Sequence, residues 1–370
     1  MGILKNDNNK GKSMRLFTKL AVTFSAVVAL NVNAAKPQLD IDVSVNEADN
    51  GNVNATLSIT NNGNGQQKIL GWYTDLEEEH IFHVERDGVE VAFYGPHYKR
   101  QAPTEKDFIK LKSGETLTKS FELSSLYDMS EAGNYQVSYD VKSLHLFSNK
   151  GQQNKAEKMD VETLKSNVAN IWLEGVTSKG SANKGKPGGG NGSGDCIDGT
   201  CFTGRCDNGQ KTEIMSAFSA ADQLTNNAVS YLNSHSANNT SARYETWFGE
   251  ATNSRYNTAV ANFDAINDAI DTKPVTFDCS CKKTYFAYVY PAQPYKVYLC
   301  KAFWSANEIG TDSRAGTIIH ELSHFNAVAG TDDVVYGHSG AKSLANSNPD
   351  QSLNNADSHE YFAENTPHQN

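Results

Sequence analysis

The sequence predicts two folded parts of different class: an all-β sandwich, followed by a mainly α-helical α+β domain with a small sheet. Short runs that alternate apolar and polar residues fill the N-terminal half, whereas apolar residues recur at helical spacing in the C-terminal half. Between the halves, residues 179–195 are dominated by glycine, serine and asparagine, as in a flexible linker. With 370 residues, the chain is long enough for two domains.

Residues 1–34 have the features of an export signal. Arg15 and Lys19 precede an apolar run of 11 residues from Leu20 to Leu30, and Ala34 offers a small residue for cleavage. Met14 is an alternative start, because the residues before it are polar. The competing interpretation is a buried N-terminal helix. We expect the protein to be secreted.

Residues 35–178 are predicted to form the β-sandwich. Leu39–Val45 and Val53–Thr60 alternate apolar and polar residues, and further runs follow near 80–85, 89–94, 116–123 and 134–142. The stretch Gly133–Tyr139 is typical of the last strands of immunoglobulin-like sandwiches, in which a tyrosine ties down a corner. We therefore predict an immunoglobulin-like sandwich. The histidines of this half are scattered, and we interpret them as structural or exposed: His80, His83, His97 and His145.

Residues 196–370 change to the helical period. Residues 213–232 predict one amphipathic helix, and residues 244–270 predict one or two more. Residues 284–290 and 296–300 are expected to form a hairpin. Thr311-Asp312-Ser313 should begin a further helix, and Gly330 should end it.

The cysteines agree with an exported protein. An even count in an exported chain favours three disulfides, and all six lie in the C-terminal half: Cys196, Cys201, Cys206, Cys279, Cys281 and Cys300. A zinc cluster built from them is the competing interpretation, but their spacings contain no paired C-x-x-C motifs.

The charge of the chain limits its partners. The net charge is −10, and residues 195–370 contain 11 basic and 20 acidic residues. This balance argues against nucleic acid or an anionic membrane as a partner and permits cationic substrates. After the export signal, no segment approaches the length needed for insertion across a membrane. A solvated acidic surface is the simpler interpretation of charge alone.

The stretch His320-Glu321-Leu322-Ser323-His324 carries the clearest chemistry. Two histidines four residues apart lie on one face of a helix, so both imidazoles can reach one cation. The adjacent glutamate can act on water at the metal without being a ligand. This pattern predicts a zinc peptidase.

The residues alone leave the third zinc ligand open. A metzincin would have a histidine at the position of Gly330, so that arrangement does not fit. Glu360 would give a thermolysin-like set, and Asp332 or Asp333 would give an aspartate ligand. Two further candidates, His338 and His359, we interpret as surface or supporting residues.

HELSH followed by GTDDVVYG resembles the aspzincin signature, the hallmark of the deuterolysin and peptidyl-Lys metalloendopeptidase family. The resemblance covers about residues 200–370 and includes YETWFG, TYFAYVYP, TDSRAGT and NADSHEYF. It implies a zincin-like α+β fold with one Zn²⁺ held by His320, His324 and Asp333. It further implies that Glu321 is the catalytic acid/base and that Tyr336 stabilises the oxyanion.

The resemblance also implies a substrate preference and a disulfide pattern. Asp357 and Glu360 match an acidic pair that binds lysine, so cleavage is expected on the N-terminal side of lysine in peptides and proteins. Cys206 should pair with Cys279 and Cys281 with Cys300, which leaves Cys196 with Cys201 outside the family pattern.

The β-sandwich and linker indicate a proenzyme. We hypothesise that the N-terminal domain assists folding or blocks the cleft and is removed at the linker, where the enzyme could cut before Lys179, Lys184 or Lys186. A permanent binding module is the competing interpretation. For the whole chain, the alternative is a secreted, disulfide-stapled binding protein with a catalytically inactive zinc site.

Overall fold

The fold is described from a computed structural model for residues 38–143, 146–147, 162–176 and 195–369. The predicted export signal, His145 and nearly all of the predicted linker lie outside these ranges. Within the described residues, no helix is both long and apolar enough to cross a membrane. We call residues 38–176 the N-terminal part and residues 195–369 the C-terminal part.

The N-terminal part is rich in β-strands. They are β1 (Leu39–Glu47), β2 (Val53–Asn61), β3 (Gln67–Leu70), β4 (Phe82–Arg86), β5 (Val89–Glu90), β6 (His97–Lys99), β7 (Phe108–Leu111), β8 (Thr116–Glu122), β9 (Gly133–Ser143), β10 (Glu162–Lys165) and β11 (Ala169–Leu173). One antiparallel sheet has the order β1-β2-β8, and a second has the order β10-β9-β4-β5, with β11 also on β9. Both sheets bury apolar side chains in one shared core, as strand alternation requires.

The predicted tyrosine interaction forms at the start of β9. Tyr135 is buried, and its hydroxyl donates a hydrogen bond to the backbone oxygen of Glu131 at 2.7 Å. The N-terminal part is therefore β-rich as predicted, whereas its immunoglobulin-like classification stays a prediction.

The C-terminal part combines helices with a mixed sheet. The helices are α1 (Asn208–Ser234), α2 (Ala242–Phe248), α3 (Asn253–Thr272), α4 (Lys301–Ser305), α5 (Arg314–His324), α6 (Gly337–Ser347), α7 (Pro349–Leu353) and α8 (Ala356–Glu364). The strands are β12 (Asp195–Ile197), β13 (Thr200–Thr203), β14 (Thr276–Asp278), β15 (Ala287–Val289) and β16 (Lys296–Leu299). Strands β15 and β16 form the predicted hairpin. Strands β12, β13 and β14 were not predicted, and the mainly helical character stays a prediction.

The sheet of the C-terminal part contains one strand from the N-terminal part. Its order is β12-β13-β14-β16-β15-β6, so β6 covers the edge of β15 in antiparallel pairing. Lys99 lies opposite Ala287, and His97 lies opposite Val289. This addition of a strand to a sheet edge brings the two parts together beside α5.

Helix α5 begins as predicted but ends earlier. The hydroxyl of Ser313 accepts a hydrogen bond from the backbone N–H of Gly316 at 2.9 Å and caps the helix. The prediction that Gly330 ends this helix is wrong. The helix stops at His324 because Phe325 leaves helical geometry, and Gly330 instead closes the following turn onto the oxygen of Phe325. That turn returns the chain toward His324.

Three disulfides join cysteines of the C-terminal part. Cys206 is bonded to Cys279, Cys281 to Cys300, and Cys196 to Cys201. They are the pairs that we expected. Two of them tie the sheet to the segments around it, because Cys279 follows β14 and Cys300 follows β16.

Candidate active site

Three side chains converge at the end of α5. The Nε2 atoms of His320 and His324 are 3.1 Å apart, and the carboxylate of Asp333 places Oδ1 3.1 Å from the first and Oδ2 3.5 Å from the second. Two ligands of a tetrahedral zinc ion, each about 2.0–2.1 Å from it, lie about 3.3 Å apart. The spacing and the chemistry of these donors therefore fit a zinc ion.

Neighbouring groups orient both imidazoles. The Nδ1 atom of His320 is 2.9 Å from an oxygen of Asp357 and 3.4 Å from one of Glu360. The Nδ1 atom of His324 is 2.7 Å from the backbone oxygen of Thr331, to which it can donate. Such contacts leave Nε2 of each ring for the metal.

The contacts of His320 distinguish Asp333 from Glu360 as candidates for the third zinc ligand. Asp333 faces Nε2 of His320, whereas Glu360 faces Nδ1 on the other side of that ring. Burial opposes ionisation of Asp333, but the imidazoles of His324 and His320 hold the pKa of its carboxyl well below the ordinary value. An ionised carboxylate is the form that binds a cation, so Asp333 fits the third ligand position better than Glu360 does.

Glu321 and Tyr336 flank this cluster. Glu321 is fully buried, and burial raises the pKa of its carboxyl to about 7. A carboxyl with a pKa near the working pH is suited to taking up and releasing a proton. Tyr336 is also buried, which raises its pKa well above the ordinary value, so its hydroxyl stays protonated and can donate.

An acidic pocket lies on the far side of His320. We define it by the carboxylates of Asp312, Asp357 and Glu360. Asp357 and Glu360 come from consecutive turns of α8 and are almost completely buried. The ammonium group of Lys99 from β6 occupies this pocket, 2.5 Å from Glu360, 3.3 Å from Asp312 and 3.5 Å from Asp357.

Comparison with known proteins finds matches to most of the C-terminal part and to nearly the full length of the chain. A family model described as "Lysine-specific metallo-endopeptidase", the aspzincin model, matches residues 232–364. An "Extracellular protease" of Aeromonas hydrophila is 45% identical over 95% of this chain and 99% of its own length. The chain belongs to the aspzincin family.

Two further similar proteins are a curated relative and a solved structure. A "Peptidyl-Lys metalloendopeptidase" of Armillaria mellea is 33% identical over 94% of this chain and 95% of its own length. A solved zinc peptidase from Grifola frondosa is 43% identical, with a TM-score of 0.42, over 45% of this chain and 100% of its own. This aspzincin is a zinc-dependent metalloendopeptidase, and family membership favours that activity over a binding protein with an inactive site.

Two further histidines that the sequence offered as ligands, His338 and His359, contact groups outside the cluster of His320, His324 and Asp333. The nitrogens of His359 are 3.1 Å from the oxygen of Asn355 and 3.0 Å from the side chain of Asn262. His338 packs against the rings of Trp247 and Tyr361. Neither ring is positioned as a third ligand.

The sequence did not single out several residues that reach this site. They are His97 and Lys99 of β6, Asp312 before α5, and Glu79, whose carboxylate accepts a hydrogen bond from Tyr336 at 2.8 Å. His97, expected to be structural or exposed, is half-buried beside His324 and Asp333. No local pattern marks these residues, because each reaches the site only through the pairing of distant segments.

Proposed function

We propose that this aspzincin is a secreted endopeptidase that cleaves on the N-terminal side of lysine and is made as a proenzyme. The observation that carries the proposal is the position of Lys99. Its ammonium group lies in the acidic pocket, while its backbone nitrogen is 3.3 Å from the carboxylate of Glu321. A substrate lysine bound in the same way would place its amide nitrogen beside the proposed acid/base.

The acidic pocket explains selectivity for lysine. A buried carboxylate without a cationic partner is costly, and a buried ammonium is tolerated only where carboxylates surround it. The ring of Phe286, whose centroid is 5.0 Å from the ammonium of Lys99, adds a cation–π contact. A neutral side chain in this position would leave the carboxylates unpaired.

The catalytic groups divide the work of hydrolysis. One zinc ion held by His320, His324 and Asp333 would supply Lewis acidity for activation of water and for polarisation of the scissile carbonyl. Glu321 takes a proton from the attacking water and delivers it to the amine of the departing lysine. The hydroxyl of Tyr336 donates a hydrogen bond to the oxyanion that develops on the carbonyl carbon.

Secretion rests on three independent observations. Residues 1–34 have the features of an export signal, the C-terminal part contains three disulfides, and one relative is named an extracellular protease. For maturation, we propose a cut in or near residues 179–195, made by the enzyme itself before a lysine. The N-terminal domain, proposed to be an immunoglobulin-like sandwich, would then leave the catalytic domain.

One set of measurements tests the activity. The purified protein should bind one equivalent of zinc and cleave a peptide before its single lysine, and a chelator should abolish cleavage. Glu321→Ala should bind zinc and remain inactive. Cleavage of matched peptides with norleucine or arginine in place of lysine, at equal rates, would refute the lysine preference while leaving the peptidase activity standing.

A second measurement tests the maturation. Wild-type protein and Glu321→Ala are expressed in parallel, and the N-terminus of each product is sequenced. Autocatalysis predicts that only the wild type is cut. An identical cut in both proteins would show that another protease makes it.

A further inference from the structure

We propose that β6 is a built-in pseudosubstrate, which holds the active site shut by placing Lys99 in the acidic pocket and His97 at the zinc. This inference rests on the proposed function, because it assumes that the acidic pocket is the binding site for a substrate lysine. It differs from simple steric blocking, since it assigns the inhibition to particular side chains of one strand.

The backbone of β6 is added to the edge of β15 as an extended peptide could be. The strand pairs antiparallel with β15, and the N–H of Phe286 donates to the oxygen of Lys99 at 3.0 Å. Addition of an extended peptide to an exposed strand edge is a common mode of peptide recognition. The backbone of Lys99 is thus held by main-chain bonds that any peptide sequence could make.

Lys99 occupies the acidic pocket. Its side chain is fully buried, and its ammonium contacts the carboxylates of Asp312, Asp357 and Glu360. Burial alone would lower the pKa of Lys99, but these carboxylates outweigh it and hold the pKa well above the ordinary value. A second lysine cannot enter while Lys99 remains.

The bond between Tyr98 and Lys99 occupies the position of a scissile bond, so this strand could equally be a substrate. Two contacts favour an inhibitor. First, nitrogen atoms of His97 and His324 and a carboxylate oxygen of Asp333 all lie within 4.8 Å of one another. Zinc in a catalytic site keeps one position open for water, whereas four protein ligands make a closed, unreactive site.

The second contact removes the donor for the oxyanion. The hydroxyl of Tyr336 donates to Glu79 of the N-terminal part at 2.8 Å, and the indole of Trp72 packs edge-on against its ring. Arg100, the residue after Lys99, contacts Glu79 at 3.5 Å and stacks on Trp72. Tyr336 is therefore held by Glu79 and Trp72, and Arg100 links both of these residues to the end of β6.

Loss of the lysine charge should open the site. Replacement of Lys99 by methionine preserves the length of the side chain but leaves the buried carboxylates of Asp357 and Glu360, and the partly exposed one of Asp312, without their cation, which opposes docking of β6. The test uses a full chain with alanine at positions 179, 184 and 186, so that the two parts stay joined. Mass spectrometry confirms that the chain is intact.

The first measurement is hydrolysis of a fluorogenic lysine peptide by this intact chain. Lys99→Met should raise kcat/KM on the order of tenfold or more, whereas Lys110→Met, at an exposed position of the same part, should leave it unchanged. Equal activity of Lys99→Met and the parent chain would overturn the proposal. So would accumulation of a product cut between Tyr98 and Lys99 in the parent chain.

The second measurement does not depend on activity. X-ray absorption of zinc in the full-length Glu321→Gln protein should count three imidazole ligands, and His97→Gln in that background should reduce the count to two. Two imidazoles in both proteins would refute the role of His97. This measurement also tests the proposal if Lys99→Met does not fold. If no form of the enzyme cleaves before lysine, that result refutes the proposed function, and the count of imidazole ligands still tests the role of His97.

Discussion

Glu360→Gln should weaken selectivity for lysine without destroying catalysis. The ammonium of Lys99 lies 2.5 Å from Glu360, the shortest of its three carboxylate contacts, and both side chains are fully buried. A hydrogen bond to a charged group contributes about 1.5–3 kcal/mol. Because Asp312 and Asp357 remain, we expect a loss in this range rather than the larger cost of an unpaired charge. It corresponds to a decrease of roughly 10- to 150-fold in kcat/KM.

The assay compares two peptides that differ at one position. For the processed enzyme, kcat/KM is measured with lysine or with norleucine after the scissile bond. Glu360→Gln should lower the value for lysine by the stated factor and leave that for norleucine unchanged or higher. Glu250→Gln, at an exposed position, serves as the control. An equal loss with both peptides would refute the reasoning, because it would assign Glu360 to catalysis or to orientation of His320.

Three further outcomes are expected. Tyr336→Phe should lower kcat by about 10²–10³-fold with little change in KM in steady-state kinetics, since only the oxyanion loses its donor. Asp333→Asn should lose zinc on dialysis, measured by atomic absorption, whereas Asp332→Asn should retain it. Burial raises the pKa of Glu364 to about 9 from an ordinary 4.5, so the folded state keeps a proton that the unfolded chain releases. That stabilisation is complete below about pH 4.5 and is lost as the pH rises toward 9, at up to about 1.4 kcal/mol per pH unit. Urea unfolding of inactive Glu321→Ala, with and without Glu364→Gln, should show that the protein with Glu364 loses stability relative to the Glu364→Gln variant as the pH rises from 5 to 8; a constant difference would contradict the assignment.

The parts of the site that are local in sequence could be predicted. Two histidines at helical spacing and a serine before the helix are enough to predict α5 and its cap, because both depend on residues within four positions. The end of α5 could not be predicted, since Phe325 leaves the helix without a glycine or proline. Gly330 was the expected end of the helix, but it lies in the turn that follows, where its N–H donates to the oxygen of Phe325.

The contribution of the N-terminal part could not be read from the sequence. Lys99 and Glu321 are 222 positions apart, and their contact depends on a strand of only three residues joining a sheet built by the other half. Such a short strand has too little alternation to be recognised. Family resemblance could not supply it either, because the resemblance that we recognised began near residue 200.

The pairing of β6 with β15 has a consequence for solubility. An uncovered strand at the edge of a sheet presents free backbone donors and acceptors, which can pair with another chain and start aggregation. In the intact protein, β6 covers that edge of β15. A mature enzyme that has lost β6 would expose this edge whenever no peptide is bound. The strand edge that binds substrate would then also be the surface through which two copies of the enzyme could associate.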